Sequence, residues 1–275
     1  MSRLAAWFVC AGLALGSAAC TPPAKSSVNY TEDARRAYEE AMDEFRARNW
    51  IEAQSLFRDV KKNYAYSKYA RLAELRIADA DFESDRFLEA ARGYREFVQN
   101  HRSDTEGVAY ARARIAEAQY QQTGGDGPFA APSNERDQAV IVQAYQELRG
   151  YLQDYPDAAA SKKVRELLAN VTARLIEHEL VVARFYLSRE NYEATVARIK
   201  YALRSYGTVG ATNDPNVVDT GLEPDCLLLL GETYLKMERW SDARDAFVTL
   251  LRDYSTSALS TPAKRYLAYM ESRGV

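Results

Sequence analysis

The chain has 275 residues, of which 47% are hydrophobic and 27% are charged, and its formal net charge at pH 7 is −3. This mildly acidic balance excludes a protein that binds nucleic acid through bulk electrostatics, so we expect no nucleic-acid partner. The length is sufficient for one elongated domain or two compact domains.

The first 19 residues have the pattern of a secretory signal. Arg3 provides a positive start, residues 4–15 form an apolar run too short to span a bilayer, and small residues lead directly to Cys20. A cysteine at the cleavage point resembles the acylation site of bacterial lipoproteins. We therefore predict that Cys20 is acylated, that residues 20–30 form a lipidated linker, and that the anchor holds the protein at a membrane. Such signals usually have Leu three residues before the cysteine, where this chain has Ser17; ordinary cleavage, with release of a soluble periplasmic protein, is the alternative.

A recurring segment organises the rest of the chain. Each copy has a polar residue, an aromatic residue, two short or acidic positions and a small residue, and the copies begin at Asn49, Arg86, Asn191 and Arg239. A large apolar residue follows four places after each small residue. In a helical hairpin the aromatic residue closes the turn, the small residue lets the two helices approach, and the later residue packs on the same face.

This pattern resembles the tetratricopeptide repeat, a helix–turn–helix unit of about 34 residues that stacks into a solenoid. A more degenerate copy, with helices at 110–121 and 137–155, has Ala144 and Leu148 at the packing positions. The last copy matches the repeat best, at Leu227, Leu230, Gly231, Tyr234, Trp240, Ala243 and Phe247. We predict an all-α solenoid of about five helix pairs, with a capping helix at 261–272.

The repeats are irregular in length. Their small residues are separated by 37, 54, 51 and 48 residues, and all four intervals exceed 34. We therefore expect lengthened helices and inserted loops, the latter at residues 124–132 and 207–224.

The helix end Asp154-Tyr155-Pro156-Asp157, the insertion in the third repeat and the block at 184–206, behind a lipoprotein signal, are similar to the BamD family, also called YfiO or ComL. The resemblance covers about residues 30–270. It implies a non-enzymatic lipoprotein on the periplasmic face of the outer membrane of a Gram-negative bacterium. Proteins of this family belong to the β-barrel assembly machinery, dock on the last POTRA domain of BamA, and help to recognise and insert β-barrel precursors, in part through their C-terminal strand. Thr21 also fits delivery to the outer membrane.

The resemblance assigns different roles to the two halves of the chain. Residues 31–160 would form the substrate side, and residues 161–275 would contact BamA and other subunits of the machinery. In the family, two arginines of the fourth repeat dock on acidic groups of the POTRA domain, and Arg189 and Arg198 occupy the matching positions. A bidentate guanidinium suits such a contact. The alternative is that both arginines are solvated surface charges.

Helical spacing also predicts a substrate groove in the first two repeats. Three residues of the first helix share one face, and three residues of the next repeat lie at equivalent places, where tetratricopeptide solenoids have a concave binding surface. These candidates are Tyr38, Met42, Phe45, Leu75, Asp79 and Phe82. The alternative is that some of them, Phe45 and Phe82 in particular, form the core between repeats.

Other chemistry is not indicated. His101 and His178 lack a second ligand at metal spacing, and the glycine-rich segment 124–127 lacks the Gly-Lys-Ser/Thr of a phosphate loop. Cys226 opens an apolar run and is predicted to be a buried structural thiol. We therefore expect no cofactor, no metal site and no enzymatic activity.

Two other classes of protein compete with this interpretation. One is a different periplasmic repeat lipoprotein, such as a pilotin or a Tol–Pal coordinator. A pilotin would have regular 34-residue repeats, and a coordinator would have an N-terminal coiled coil, whereas residues 28–63 have no sustained heptads. The other is a soluble periplasmic enzyme on a helical scaffold, for which the sequence offers no catalytic constellation.

Overall fold

The computed structural model describes residues 27–124, 138–207 and 218–275, and within these ranges the chain forms helices but no strand. None of the helices there is long and apolar enough to cross a bilayer. The predicted acylation site Cys20 and most of both predicted insertions lie outside the described residues. The helices are α1 (Ser27–Arg46), α2 (Trp50–Asn63), α3 (Lys68–Glu83), α4 (Phe87–Asn100), α5 (Thr105–Gln122), α6 (Gln138–Asp154), α7 (Ser161–Ser188), α8 (Tyr192–Tyr206), α9 (Glu223–Lys236), α10 (Trp240–Asp253) and α11 (Ser260–Ser272).

These elements confirm the predicted all-α solenoid. Each helix packs on the next along the chain, so that α1 to α10 form five helix pairs and α11 covers the last pair. The first helices of neighbouring repeats also contact one another, in the pairs α1–α3, α3–α5 and α5–α7, and they therefore form the inner layer of the stack. The long spacing before the fourth repeat arises in part from α7, whose 28 residues extend about 42 Å at 1.5 Å per residue.

The predicted packing positions are buried in every repeat. The small residues that follow the aromatic turn residues are inaccessible to solvent, and so are the residues four places later. The first set is Ala53, Ala90, Ala144, Thr195 and Ala243, and the second set is Phe57, Tyr94, Leu148, Ile199 and Phe247. The aromatic residue at the turn closes on the preceding helix: Trp50 lies edge-on to Phe45 with ring centroids 5.1 Å apart.

The turn within a repeat contains a feature that the sequence does not signal. Arg48, Asp85, Glu190 and Glu238 have φ between 57° and 62°, in the left-handed region that usually selects glycine. The next residue then donates its N–H to a carbonyl five residues back, as from Arg239 to Tyr234 at 2.9 Å. This is the hydrogen bond of a Schellman motif, which satisfies the carbonyls at the end of the first helix.

The hydrophobic core is a series of clusters, each of which joins neighbouring repeats. The long helix α7 contributes to two of them: Val164 and Leu168 pack with α5 and α6, whereas Leu180 and Ala183 pack with α8 to α10. The core is therefore shared across residue 160, where the sequence suggested a functional division. Cys226 is buried in the last cluster, as predicted, and its burial, with the nearby Glu223 and Asp225 carboxylates, raises the pKa of the thiol to about 12.

Candidate functional site

Asp79 lies at the centre of a polar network on the inner layer of the solenoid. Asp79 is 2% exposed, and its carboxylate accepts hydrogen bonds from Tyr110 Oη at 2.8 Å, from the Tyr94 hydroxyl and from the Arg76 guanidinium. Arg114 Nε lies 3.7 Å from the same carboxylate. Burial, together with the negative charge of Asp79, raises the pKa of Tyr94 and of Tyr110, so both phenols remain protonated donors.

The network connects four helices. Arg76 Nε donates to the hydroxyl of Tyr38 on α1 at 3.3 Å, while Tyr94 comes from α4 and Tyr110 from α5. A buried carboxylate with this set of partners is costly to remove, because each partner would lose its acceptor in a region with little water. Asp79 therefore joins the first three repeats and is not free to contact a ligand.

Phe82 is covered by the same network. The guanidinium of Arg114 lies 3.7 Å above its ring centroid, and Phe87 packs edge-on against it with centroids 5.2 Å apart. Arg114 also donates to Tyr94 Oη at 3.2 Å and to Glu117 at 3.0 Å. The position of Phe82 favours the alternative interpretation for this residue, in which it packs between repeats.

The three candidates on α1, Tyr38, Met42 and Phe45, pack around the core cluster of the first repeat, which contains Ala53 and Phe57. Tyr38 contacts the ring of Phe57 with centroids 5.5 Å apart, and Phe45 contacts the same ring at 6.3 Å. Met42 packs on this cluster as well, and all three side chains are half-buried. They support the inner layer and leave only part of their surface for a ligand.

Of the six predicted groove residues, Leu75 also lines an open cleft between α3 and α5. The cleft has a volume of about 320 Å³. On the α3 side it is lined by Lys68, Arg71, Leu72, Leu75 and Arg76. On the other side it is lined by Phe97 of α4 and by residues around the start of α5, namely Asp104, Glu106, Gly107 and Tyr110. The spacing of charged and apolar residues along α3 could have predicted from the sequence which side chains of this helix line the cleft.

The two predicted docking arginines lie on neighbouring helices of the fourth repeat. Arg198 on α8 is 44% exposed, and its Nη1 lies 3.3 Å from Oε2 of Glu179 on α7, whose side chain is 9% exposed. Arg189 follows the end of α7, and its guanidinium lies 4.5 Å above the ring centroid of Phe185. Both arginines have intramolecular contacts and are still exposed to solvent. Phe185, the exposed aromatic residue beside Arg189, was not among the residues predicted from the sequence.

In the described part of the chain, no group of three or more His, Cys, Asp or Glu side chains is arranged to hold a metal ion. The imidazole of His101 is paired with the carboxylate of Glu74, which also pairs with Lys61. This histidine thus joins α3 to the turn after α4.

Comparison with known proteins places the chain in a family. Residues 31–216 match the model of the YfiO family, described as outer membrane lipoprotein, and residues 225–257 match a tetratricopeptide repeat. The chain is 25% identical over 257 residues to the outer membrane protein assembly factor BamD of Neisseria gonorrhoeae, covering 92% of this chain and 91% of that protein. It is 25% identical over 198 residues to BamD of Caulobacter vibrioides, covering 72% and 58% respectively. Among solved structures, it is similar to a thermophilic tetratricopeptide-repeat protein of Thermus thermophilus, with 15% identity, 86% and 99% coverage and a TM-score of 0.35.

The family model matches well over half of the chain and begins where the helical repeats begin. It extends through the fourth repeat, and the tetratricopeptide match then covers most of α9 and all of α10. The chain belongs to the YfiO family of outer membrane lipoproteins.

Proposed function

We propose that this protein is a non-enzymatic assembly factor for β-barrel proteins of the outer membrane. The family match over residues 31–216 carries the proposal, together with relatives described as outer membrane protein assembly factors. A solenoid of stacked helix pairs suits such a role because it offers extended surfaces to several partners at once. The protein would be anchored through acylated Cys20, face the periplasm, and work within the β-barrel assembly machinery.

The fourth repeat would dock on a POTRA domain of a BamA-like protein. Arg198 and Arg189 would pair with acidic side chains there, because exposed guanidinium groups can form two parallel hydrogen bonds with a carboxylate. Glu179 holds Arg198 at 3.3 Å from the side of α7 and so limits the positions that the guanidinium samples. An arginine oriented in this way loses less conformational entropy when it binds a partner.

Co-purification with the BamA-like protein tests this docking surface. Arg198→Glu, made together with Glu179→Gln so that no second carboxylate faces the new one, should abolish co-purification while helicity and melting temperature stay close to wild type. A charge swap on the partner should restore binding. Arg92→Glu is the matched control, since Arg92 is an exposed arginine on the second helix of another repeat. Glu179→Gln removes the intramolecular pair but keeps the Arg198 charge, and should still co-purify. If Arg198→Glu co-purifies at the wild-type level over a range of salt concentrations, the fourth repeat is not the docking surface.

The anchor is tested separately. Cys20→Ala should move the protein from the membrane fraction to the soluble periplasmic fraction, because a protein without acyl chains loses about 0.8 kcal/mol of membrane affinity per buried CH₂ group. Mass spectrometry of the N-terminal peptide should detect the acyl chains on the wild-type protein. Membrane fractionation that is unchanged in Cys20→Ala, with no lipid on the peptide, would contradict the anchor.

The first three repeats would receive the unfolded precursor. Their inner layer combines half-buried aromatic and thioether groups at Tyr38, Met42 and Phe45 with the open cleft beside Leu75. Surfaces of this composition adapt to apolar side chains of an extended peptide. Residues 31–160 would thus form the substrate side, and residues 161–275 the side that docks on the partner.

A further inference from the structure

Three tyrosines meet at the end of the first repeat from which α1 starts. The backbone N–H of Tyr66 donates to Tyr30 Oη at 3.4 Å, and the ring centroids of Tyr30 and Tyr64 lie 5.5 Å apart. Tyr30 belongs to the first turn of α1, whereas Tyr64 and Tyr66 belong to the turn between α2 and α3. These three residues, here called the tyrosine edge, therefore lie beside the point where the linker from Cys20 enters the first helix.

The turn that contains Tyr66 is held by hydrogen bonds. Tyr64 donates its N–H to the carbonyl of Val60 at 2.9 Å, and the hydroxyl of Ser67 donates to the carbonyl of Tyr64 at 2.8 Å. Ser67 also caps α3 by accepting the N–H of Ala70 at 3.2 Å. Tyr66 is nevertheless 99% exposed. An ordered turn thus presents the ring to solvent, and the ring needs no rearrangement of the backbone to contact a partner.

Other repeats have polar residues at the equivalent place. Tyr66 lies two residues after the C-cap of α2, and the corresponding residues after α4 and α10 are Ser103 and Thr256. The last turn of α2 also contains Lys61 and Lys62, whereas the last turn of α4 lacks a basic residue. The repeat architecture therefore does not require this combination of an aromatic ring and lysines, which occurs in the repeat beside the linker.

The tyrosine edge is bordered by positive charge. Lys62 and Lys68 are exposed on either side of the turn. The acidic residues near the start of α1, Glu32 and Asp33, each pair with an arginine of the same helix. An anionic surface can therefore approach the two lysines.

The predicted anchor is close to this edge along the chain. Seven peptide steps separate Cys20 from Ser27, the first residue of α1. At about 3.3–3.6 Å per residue, they extend at most about 25 Å. An acylated Cys20 would hold the start of α1, and with it the tyrosine edge, within that distance of the bilayer surface. The other end of α1 is farther from the anchor, because its 20 residues extend about 30 Å.

We propose that the tyrosine edge, with Lys62 and Lys68, contacts the headgroup region of an anionic phospholipid bilayer and orients the solenoid relative to the membrane. Tyrosine suits this region, because its ring is apolar and its hydroxyl stays hydrated. Lysines beside the ring are attracted to anionic headgroups. The inference depends on the proposed anchor at Cys20. A single tether would let the solenoid rotate, and a second contact restricts that rotation.

Quenching of a fluorophore by the bilayer tests the contact. Cys226 is buried and Cys20 would be acylated, so a cysteine introduced at an exposed position takes the probe. The probe is placed at Ala65→Cys, beside Tyr66, and at the matched control Ala47→Cys, since Ala47 is also exposed and lies in the turn at the other end of α1.

The acylated full-length protein is reconstituted in vesicles of phosphatidylethanolamine with about one quarter anionic phosphatidylglycerol, and the quencher is attached to the lipid headgroup. We expect at least threefold more quenching of the probe at position 65 than of the probe at position 47. Equal quenching at the two positions would overturn the proposal.

Variants of the edge distinguish a contact from the effect of the tether alone. In the Ala65→Cys protein, Tyr66→Ser combined with Lys62→Gln should lower the quenching to the level of the Ala47→Cys protein. The matched control is Tyr269→Ser combined with Lys264→Gln, an exposed pair on α11, which should leave the quenching unchanged. Quenching that persists in the edge variant would show that the tether alone brings the turn to the bilayer, and would overturn the contact.

The anchor and the edge have separate outcomes. Lipid on the N-terminal peptide, together with equal quenching at positions 65 and 47, supports the anchor and overturns the edge. If the peptide carries no lipid, the anchor fails, and sedimentation of the protein with the same vesicles tests the edge. Binding that falls at least threefold in Tyr66→Ser with Lys62→Gln then supports the edge, and binding that is unchanged or absent overturns it.

Discussion

A Cβ atom on Gly231 would lie 2.6 Å from Cζ of Phe247, and closer still to Cε1 of the same ring. Helices α9 and α10 therefore meet at a point where only glycine leaves room for the ring. Phe247 cannot easily move away, because it is fully buried and stacks on Tyr266 of α11 with ring centroids 5.1 Å apart. Tyr266 in turn donates to Glu232 at 2.9 Å. The contact thus couples the last repeat to the capping helix.

Gly231→Ala should lower the free energy of unfolding by about 1–3 kcal/mol, because the added methyl group forces the ring or the helices apart. Gly150→Ala is the matched control, since Gly150 is also helical and its nearest neighbour, Arg112 Nη2, is 4.0 Å from the added Cβ. This control should stabilise the protein by about 0.5–1 kcal/mol through helix propensity. Urea denaturation of both variants measures the difference, and equal stabilisation by the two changes would contradict the close approach.

The left-handed turn residues provide a second test. Glu238 is exposed and has φ of 57°, so Glu238→Gly should raise the free energy of unfolding by up to about 1 kcal/mol, because glycine adopts this conformation without steric cost. Glu238→Val should lower it, since a β-branched side chain is disfavoured there. Thermal melts should rank the melting temperatures in the order Gly, Glu, Val at position 238, from highest to lowest. This order checks that the turn residue is left-handed. A valine variant as stable as the glycine variant would show that the turn is not left-handed.

The buried carboxylate of Asp79 should be essential to the first three repeats. Asp79→Ala leaves two phenols and Nη1 of Arg76 without their acceptor, and should cost roughly 2–5 kcal/mol. Asp59→Ala, at an exposed position of α2, should change stability by no more than about 0.5 kcal/mol. Denaturation curves compare the two variants. A small effect of Asp79→Ala would mean that the network does not join α1, α3, α4 and α5.

The pH dependence of stability should report on Glu74. Burial alone would raise the pKa of this carboxyl, but hydrogen bonds with Lys61 and His101 outweigh burial and hold the pKa below its usual value of 4.5. A carboxyl with a lowered pKa in the folded state stabilises the fold above about pH 4.5, and this contribution disappears as the pH falls through the lowered value. The melting temperature of wild type should therefore be higher than that of Glu74→Gln at pH 7. This difference in melting temperature should become smaller below pH 4.5.

The control for this experiment is Glu52→Gln, at an exposed position of α2. The melting temperature of this variant should follow that of wild type over the same pH range. If the difference in melting temperature between wild type and Glu74→Gln stays constant down to pH 3, the ionised pairing of Glu74 is contradicted.

The repeat architecture follows from local patterns in the sequence. The recurrence of an aromatic residue, a small residue and a large apolar residue predicted which positions pack, and Ala53, Phe57, Ala243 and Phe247 are all fully buried. These signals are local: they depend on spacings of three or four residues along one helix, and such spacings place side chains on the same face in any helical context. The apolar run that begins at Cys226 likewise predicted that this thiol is buried.

The way in which those helix faces are used depends on how the repeats pack against one another. Tyr110 reaches Asp79 across 31 positions of sequence and Tyr38 reaches Arg76 across 38, so their hydrogen bonds depend on how one repeat stacks on the next. Helical spacing gave Leu75 and Asp79 equivalent places on one face, yet packing put the first beside an open cleft and the second at the centre of a buried network. The angle and distance between neighbouring helix pairs set this difference, and these quantities come from side-chain packing over the whole stack, which no local pattern encodes.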